Sequence, residues 1–247
     1  DDVTGAIAAN YKINNSLQLR ASATQLFKAP EIGEVFTGAG LYDTANADIK
    51  AEDGLNTEIS LAFSDAVFGA EKFTTGITAF KTAIDNYIYD YAELDGEYLK
   101  DNVGDMSIDG FEAYLGYDLG QWSTLLTFST ADSELDAYAN YAALDNARLD
   151  RKQGDTISLN IDYQFSSKDI SLHWDTLYVD DLKAGVDLDG AGTDNAKDGY
   201  VVHNVSARWR PQSVQGLTLT LGIDNLADEF YASQSSRTGL STHPRFG

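Results

Sequence analysis

The stretch that decides the fold is Thr156-Ile157-Ser158-Leu159-Asn160-Ile161-Asp162-Tyr163-Gln164-Phe165, in which polar and apolar side chains alternate strictly. Side chains of a β-strand point in turn to opposite faces, so this alternation predicts a strand with one apolar and one polar face. Residues 170–178 repeat the pattern after a short gap. The two segments together predict a β-hairpin.

Working outward from this hairpin, similar segments are separated by gaps that are alternately short and long. Short gaps fall at 14–15, 65–71, 118–121, 166–169 and 211–216, and long gaps fall at 28–54, 131–155 and 180–199. We expect about ten strands, including one over 72–89 that is followed by a loop of intermediate length before a strand at 102–117. Short turns on one rim and long loops on the other are typical of outer-membrane β-barrels, whose short turns lie in the periplasm.

The two faces of these strands differ in chemistry. We expect one face to meet lipid and the other to line a wet lumen; the lipid set includes Ile157, Leu159, Ile161, Leu172 and Trp174, and the lumen set includes Asn160, Asp162 and Asp175. Trp122 and Trp209 stand at short turns, where an aromatic girdle is expected. The alternative is a soluble β-sandwich or lipocalin-like barrel. A dry soluble interior would have to bury unpaired charges, which is costly, so a transmembrane barrel is favoured.

Composition excludes several classes of function. The 247 residues carry a formal net charge of -22 and no Cys. Such an acidic chain argues against nucleic acid as a partner, because nucleic-acid binding needs a basic surface. Two interpretations of the acidity stay open: a solvated surface that keeps the protein soluble, or an acidic lumen and acidic loops that attract cations. The chain has no G-x-S-x-G motif and no Gly-rich phosphate loop, so we predict no enzymatic activity and no resident cofactor.

Six segments resemble, in order, motifs of TonB-dependent outer-membrane receptors. The first two are the "FRAP…ELY"-like segment over 26–36 and the "NPxLKPE"-like segment over 46–52, which has Ala in place of both prolines. They are followed by Glu58-Ile59-Ser60-Leu61, by Thr78 to Ile88, by Asn102-Val103-Gly104 with Gly110-Phe111-Glu112, and by Gly222 to Asp228 with Tyr231. This order extends over nearly the whole chain.

The resemblance implies a fold and a function. The family's barrel has roughly 22 strands and a plugged lumen, so residues 1–247 are expected to form part of the barrel domain, without the plug domain, the TonB box or the last strand. It implies active import of an iron chelate, haem or a ferric siderophore, across the bacterial outer membrane. Energy would come from the TonB–ExbB–ExbD complex, acting through the N-terminal part that this chain lacks. The alternative is a passive porin or a structural or adhesive outer-membrane barrel.

The same resemblance suggests candidate ligand residues. In the haem branch of the family, the loop between the first two motifs carries a haem-ligating His, whereas this chain has none between Pro30 and Asn46 and offers Tyr42 instead. His243, in the last expected external loop, is the other candidate; His173 is placed on the lumen face and His203 on the lipid face. A siderophore would need only aromatic and polar contacts, which could come from Tyr87, Tyr89, Tyr91 and Tyr98. The same tyrosines also fit a girdle or simple loop packing.

The loop Asp187-Leu188-Asp189-Gly190-Ala191-Gly192-Thr193-Asp194 invites comparison with a calcium site. Asp187, Asp189 and Asp194 supply oxygen ligands, but the regular Asp spacing and the closing Glu of a calcium loop are missing. A solvated acidic loop is the alternative.

Overall fold

The chain forms one antiparallel sheet with an up-and-down order. A computed structural model describes residues 3–35, 46–95, 97–149, 152–165, 169–185, 188 and 196–234. In this part of the chain ten strands each pair with their neighbours in sequence. They are β1 Ala6–Lys12, β2 Leu17–Lys28, β3 Glu52–Asp65, β4 Lys72–Leu94, β5 Glu97–Leu119, β6 Trp122–Ala137, β7 Thr156–Phe165, β8 Ile170–Val179, β9 Tyr200–Trp209 and β10 Leu219–Ile223. The predicted meander of about ten strands is confirmed.

Two short helices lie in the long connections. The helix α1 spans Ile32–Val35 between β2 and β3, and a 3-10 helix spans Ala139–Leu144 between β6 and β7. Among the residues described, no helix has the length and apolar character needed to cross a membrane.

With one exception, the connections sort by length onto the two edges of the sheet. The edge at which β1 meets β2, β3 meets β4, β5 meets β6, β7 meets β8 and β9 meets β10 carries the short connections. We call it the short-turn end. The opposite edge, the long-loop end, carries the long connections between β2 and β3, β6 and β7, and β8 and β9. It also carries the connection between β4 and β5, which has only two residues between Leu94 and Glu97. The predicted arrangement of short turns opposite long loops is therefore confirmed for every connection except that between β4 and β5.

The register confirms the predicted grouping of side chains by face. Leu159 pairs with both Leu126 and Thr176, and Ile161 pairs with Trp174. One residue further along, Asn160 pairs with Asp175 on the other face. We call these two surfaces the apolar face and the polar face. The same division continues from β6 across β7 and β8 to β9.

On β3 and β8 the apolar face is the more open of the two, whereas on β7 the polar-face residues Asp162 and Gln164 are exposed. On β3, Ile59 is 54% exposed, whereas the flanking polar-face residues Glu58 and Ser60 are only partly exposed. A water-soluble sheet with one wet face shows the reverse, since it covers its apolar face. An exposed apolar face beside an enclosed polar face is the arrangement expected where the outer surface meets lipid.

Toward the long-loop end, which we call the upper end, the apolar face stops at a defined level. On β5 it carries Phe111, Ala113, Leu115, Tyr117 and Leu119, whereas the next positions toward the long-loop end are polar or acidic, namely Asp109, Ser107 and Asp105. Asp109 pairs with Lys81 on one side and Asp132 on the other, so the change occurs across three strands at one level. The span from Phe111 to Leu119 is about 27 Å along the strand and about 20 Å in height at a ~40° tilt, close to the ~25 Å expected of an apolar belt.

Aromatic rings mark the lower part of this belt. At the short-turn end the ring centroids of Trp122 and Tyr163 lie 4.5 Å apart, and those of Tyr163 and Phe165 lie 4.6 Å apart. Such pairs match the aromatic girdle predicted at this edge, where amphipathic rings settle at the membrane interface.

The prediction of a loop at 90–101 was wrong, because β4 and β5 continue through it as a tall hairpin. Leu94 of β4 pairs with Glu97 of β5. The pairing is irregular here: the register shifts three times between Ile84 and Ala92, and Asn86 has a positive φ of 57°. Each bulge shifts the alternation of polar and apolar residues by one position. The sequence pattern that predicts a strand is therefore interrupted.

Two other strand limits also differ from those expected. The strand that starts at Trp122 continues to Ala137, beyond the expected end at Thr130, and β10 starts at Leu219, so that Leu217 precedes it. In β6 the extra residues lie above the apolar belt, where the outward positions Asp132, Glu134 and Asp136 are acidic and the apolar signal is lost.

Candidate functional site

The first feature of the long-loop end is an anchored helix, α1, in the connection between β2 and β3. The Lys28 ammonium lies 2.6 Å from the Glu34 carboxylate, which also accepts a hydrogen bond from the Glu31 backbone N–H at 2.7 Å. Glu34 is buried. Burial disfavours its charged form, but the Lys28 and Glu31 hydrogen bonds outweigh burial and hold the pKa of Glu34 below its ordinary value. The start of the β2–β3 loop is thereby fixed to the end of β2.

The other end of that loop is clamped by two asparagines. Asn46 donates from its side-chain amide to Asp101 Oδ1 at 2.8 Å and to the Lys100 carbonyl at 3.1 Å. The buried amide of Asn102 accepts from the Lys50 N–H at 2.7 Å and donates to the Lys50 carbonyl at 3.0 Å and the Asn86 carbonyl at 2.6 Å. The family-like segments at 46–52 and 102–104 therefore bind each other.

The two anchored ends also meet. The Asn46 N–H donates to the Val35 carbonyl at 3.1 Å. Val35 and Asn46, which flank residues 36–45, therefore lie together at the long-loop end. Tyr42, the predicted haem ligand, belongs to this stretch and lies outside the described residues.

A small hydrophobic core supports this end of the sheet. It contains Tyr89, Val103, Met106, Leu135 and Tyr141, which are buried together. The Tyr141 hydroxyl donates to an Asp101 carboxylate oxygen. Burial first, and then this carboxylate, raise the pKa of Tyr141 far above its ordinary value, so the phenol stays protonated as a donor. Asp101 thus joins the core to the Asn46 anchor.

A polar cavity of about 310 Å³ opens beside the anchored loop. It is lined by Lys28, Glu34, Glu52, Tyr87, Ile88, Tyr89 and Asp90. Glu52 accepts from the Ile88 N–H at 2.8 Å and lies 4.0 Å from Lys28, while Asp90 pairs with Lys100 at 3.2 Å. Two of the four tyrosines predicted as siderophore contacts therefore line a cavity, although Tyr89 is mostly packed in the core.

The segment after β10 returns to the long-loop end. Asn225, at the "GIDNLAD" motif, accepts from the Glu229 N–H at 2.9 Å, and its own N–H donates to Asn204 at 2.8 Å. The Tyr231 ring then stacks on Tyr200 with a centroid distance of 4.5 Å. Gln234, which is 1% exposed, accepts from the Gly154 N–H and donates to the carbonyls of Asp180 and Asp198. These contacts tie together the loops on both sides of β7 and β8.

The two described histidines occupy the faces predicted for them. His173, on the polar face, lies with Nδ1 2.9 Å from Asp162 and Nε2 3.7 Å from Asp175. His203, on the apolar face, contacts Thr176 at 2.9 Å and lies with its ring centroid 6.1 Å from that of Trp174. Both make local contacts within the strands.

Of the remaining predicted ligand residues, the structure describes some and not others. Tyr91 lies in β4 and Tyr98 in β5, as part of the tall hairpin. The haem candidate His243 and the calcium candidates Asp187, Asp189 and Asp194 lie outside the described residues. Within the described ranges, no group of three or more His, Asp or Glu side chains could hold a metal ion.

The residues that sequence reasoning missed are Asp101, Asn102 and Gln234. One of them, Asn102, belonged to a segment singled out for its family resemblance, 102–104, and Gln234 follows Tyr231, the last residue of another. That membership was the available signal, but the sequence does not show that their amides are buried and bonded to backbone groups.

Comparisons of the sequence with known proteins agree on one family. Residues 1–226 match the family model for the TonB-dependent receptor-like β-barrel. The chain is 25% identical to the vitamin B12 transporter BtuB of Photobacterium profundum, over 94% of this chain and 35% of that protein. It is 23% identical to the TonB-dependent heme receptor A of Haemophilus ducreyi, over 96% of this chain and 36% of that protein.

The fold also matches solved structures. The FrpB iron transporter of Neisseria meningitidis superimposes with a TM-score of 0.78 at 19% identity, covering 100% of this chain and 38% of that one. The chain thus spans little more than a third of the length of these relatives. Because the family model covers most of its residues, the open ten-stranded sheet is part of a larger barrel, and the chain belongs to the TonB-dependent receptor β-barrel family.

Proposed function

We propose that the chain is part of an energy-coupled import receptor of the bacterial outer membrane whose cargo is an iron chelate, either haem or a ferric siderophore. Residues 1–247 would then be one portion of the barrel domain. The observation that carries the proposal is the closed base of the β2–β3 loop, where Val35 and Asn46 meet beside a polar cavity at the long-loop end. The relatives named as a heme receptor and an iron transporter support this cargo.

The proposal includes partners outside this chain. The TonB–ExbB–ExbD complex would supply energy through an N-terminal part, and outer-membrane lipid would cover the apolar face. A passive porin or adhesive barrel is less well supported, because the family match extends over residues 1–226. The proposal assigns no catalytic step to the chain.

Uptake by cells tests the proposal directly. Cells that express the full-length receptor should accumulate iron from a supplied chelate, and dissipating the proton gradient should stop accumulation. A passive pore would continue to equilibrate the chelate after the gradient is removed. Cobalamin belongs in the same assay, because one relative at 25% identity is a vitamin B12 transporter. Uptake of cobalamin without uptake of any iron chelate would show that the proposed cargo is wrong, while the proposal of an energy-coupled import receptor would stand.

The haem alternative has its own spectroscopic test. An axial ligand gives haem a distinct Soret band, and His or Tyr supplies it through one atom. Haemin titration of the full-length receptor should lose that band in Tyr42→Phe or His243→Ala if either residue is the ligand. An unchanged band in both single variants and in the double variant would mean that neither residue ligates haem.

A further inference from the structure

One of the short turns places a bulky apolar residue where the backbone favours Asn or Gly. The turn between β3 and β4 is closed by the Ala70 N–H, which donates to the Val67 carbonyl at 3.0 Å. Its two central residues, Phe68 and Gly69, both have positive φ, of 54° and 79°. Hairpin turns with positive φ at both central positions strongly prefer Asn-Gly, because a bulky side chain is strained there. The backbone of Phe68 is therefore strained.

Phe68 is an exception among the described residues. The other described non-glycine residues with positive φ are all Asn or Asp, namely Asn86, Asp95, Asn146, Asp169, Asn225 and Asp228. Asn and Asp tolerate this region because their short polar side chains can bond to the local backbone. A turn that served only to connect β3 and β4 would be expected to use one of them. The strain at Phe68 therefore points to a role for its ring.

The ring of Phe68 continues the apolar face beyond the ends of the strands. Its centroid lies 5.3 Å from that of Phe73 in an edge-to-face contact, and the ring of Phe73 lies 6.2 Å from that of Phe63. Phe73 pairs with Tyr117, which is on the apolar face at the short-turn end. The Tyr117 hydroxyl donates to the Phe68 carbonyl at 3.2 Å and holds the turn beside this face.

These contacts do not bury the ring, since Phe68 stays 80% exposed. Its place beside Phe73 directs it toward whatever covers the apolar face. At the edge of a lipid-covered face, apolar and aromatic side chains anchor a protein at the boundary between headgroups and acyl chains. A ring in water would leave the strain of the turn uncompensated.

We propose that Phe68 is a membrane anchor, whose ring inserts among the phospholipids at the short-turn end and fixes the depth of the β3–β4 turn. The proposal rests on lipid covering the apolar face. It goes beyond the import function, since the anchor holds the barrel in place and does not contact the cargo. Lipid is favoured over a protein partner because the ring continues the apolar face beside Phe73.

Fluorescence of single tryptophans in the full-length receptor tests the anchor. Phe68→Trp is compared with a receptor that keeps only Trp174, on the apolar face, and with Asn15→Trp, at an exposed position in the β1–β2 turn. All other tryptophans are replaced by Phe. The receptors are embedded in phosphatidylcholine vesicles, with or without bromine near the carbonyl end of the acyl chains. The brominated lipid should quench Phe68→Trp and Trp174, whereas acrylamide in the water should quench Asn15→Trp.

The other outcomes separate the anchor from the lipid-facing sheet. Quenching of Phe68→Trp by acrylamide alone would overturn the anchor, and so would protection from both quenchers, because the ring would then lie in water or against protein. If Trp174 also escapes the brominated lipid, the apolar face does not meet lipid, and the anchor fails with it.

Replacement of the ring gives a second test. Phe68→Asn relieves the backbone strain, so a ring without a role predicts that folding in phospholipid vesicles is unchanged or more favourable. An anchor predicts a fall in the folding equilibrium constant of about tenfold, because an apolar ring is lost from the lipid. Phe68→Leu keeps an apolar side chain on the same strained backbone and should lose less. A Phe68→Asn receptor as stable as the unmodified one would contradict the proposal.

Discussion

Gln234 joins three segments of the long-loop end through one side-chain amide. Its oxygen accepts from Gly154 at 2.8 Å, and its nitrogen donates to the carbonyls of Asp180 at 2.8 Å and Asp198 at 3.0 Å. Lys197 adds a fourth link by donating from its ammonium to the Gln234 carbonyl at 2.8 Å. Buried amides satisfied in this way fix loop positions, because leaving a buried backbone group unpaired is costly.

Replacement of Gln234 by Leu should loosen these loops without opening the sheet. The change removes the hydrogen-bond partner of the Gly154 N–H and of the Asp180 and Asp198 carbonyls, and we expect a local loss of about 1–3 kcal/mol. The measurement is the rate of protease cleavage in the loop between β8 and β9 of the membrane-embedded receptor. Gln153→Leu, at an exposed neighbouring Gln, should cleave at the rate of the unmodified protein. Equal rates in both variants would show that the amide does not hold the loops.

The ion pair of Glu34 makes the anchor of α1 dependent on pH. The pKa of Glu34 is lowered in the folded protein, so the stabilisation is complete above its ordinary value of 4.5 and is lost as pH falls below that value. A spin label at Gly33→Cys reports this, since a side chain there meets nothing within 4 Å. We expect slower motion of the label at neutral pH, where the ion pair holds the backbone of α1, than in acid. The Glu34→Gln background should show no such step, and a step that persists there would assign the change to another group.

At the scale of the strand, the two faces of β7 should respond differently to the same change. Leu159→Arg places a charge on the apolar face near the middle of the belt and should cost about 2–4 kcal/mol. Asn160→Arg places it on the polar face and should be mild. Folding of the full-length receptor in lipid vesicles measures both free energies. Similar costs at the two positions would contradict a lipid-facing apolar surface.

The upper limit of the belt should be visible along β5. Single cysteines at Ala113 and Leu115 should be shielded by lipid from a membrane-impermeant maleimide, whereas cysteines at Asp109, Ser107 and Asp105 should react from outside the cell. The transition should fall between Phe111 and Asp109, where the outward side chains change from apolar to charged. Reaction at Leu115 as fast as at Asp105 would remove this boundary.

The same strands show which parts of the fold the alternation in the sequence predicts and which parts it does not. Within the belt, alternation fixed the faces of β7 and β8 correctly, because lipid demands an apolar residue at every second position. Above the belt only the outward positions of β5 and β6 meet water, and the inward Met106 and Leu135 are buried in the small core, so pairing continues to Ala137 without the outward apolar signal. The bulge at Asn86 erased the alternation of β4 in the same region. The anchors Asn102 and Gln234 were hidden for another reason, since their partners are backbone groups distant in sequence.

At the scale of the whole molecule, the meander assigns each end of the sheet to one side of the outer membrane. Four exposed positions suit labelling: Asn140 and Lys183 at the long-loop end, and Gln121 and Ser213 at the short-turn end. The sequence has no Cys, so a cysteine introduced at one of them gives an unambiguous signal if the rest of the receptor is also free of reactive Cys.

Long loops of outer-membrane barrels face outward and short turns face the periplasm. In intact cells, Asn140→Cys and Lys183→Cys should therefore react with an impermeant maleimide. Gln121→Cys and Ser213→Cys should react only after the outer membrane is permeabilised. Reaction of one position from each end in intact cells would contradict the orientation, because antiparallel strands of a single meander cannot place both edges on the same side.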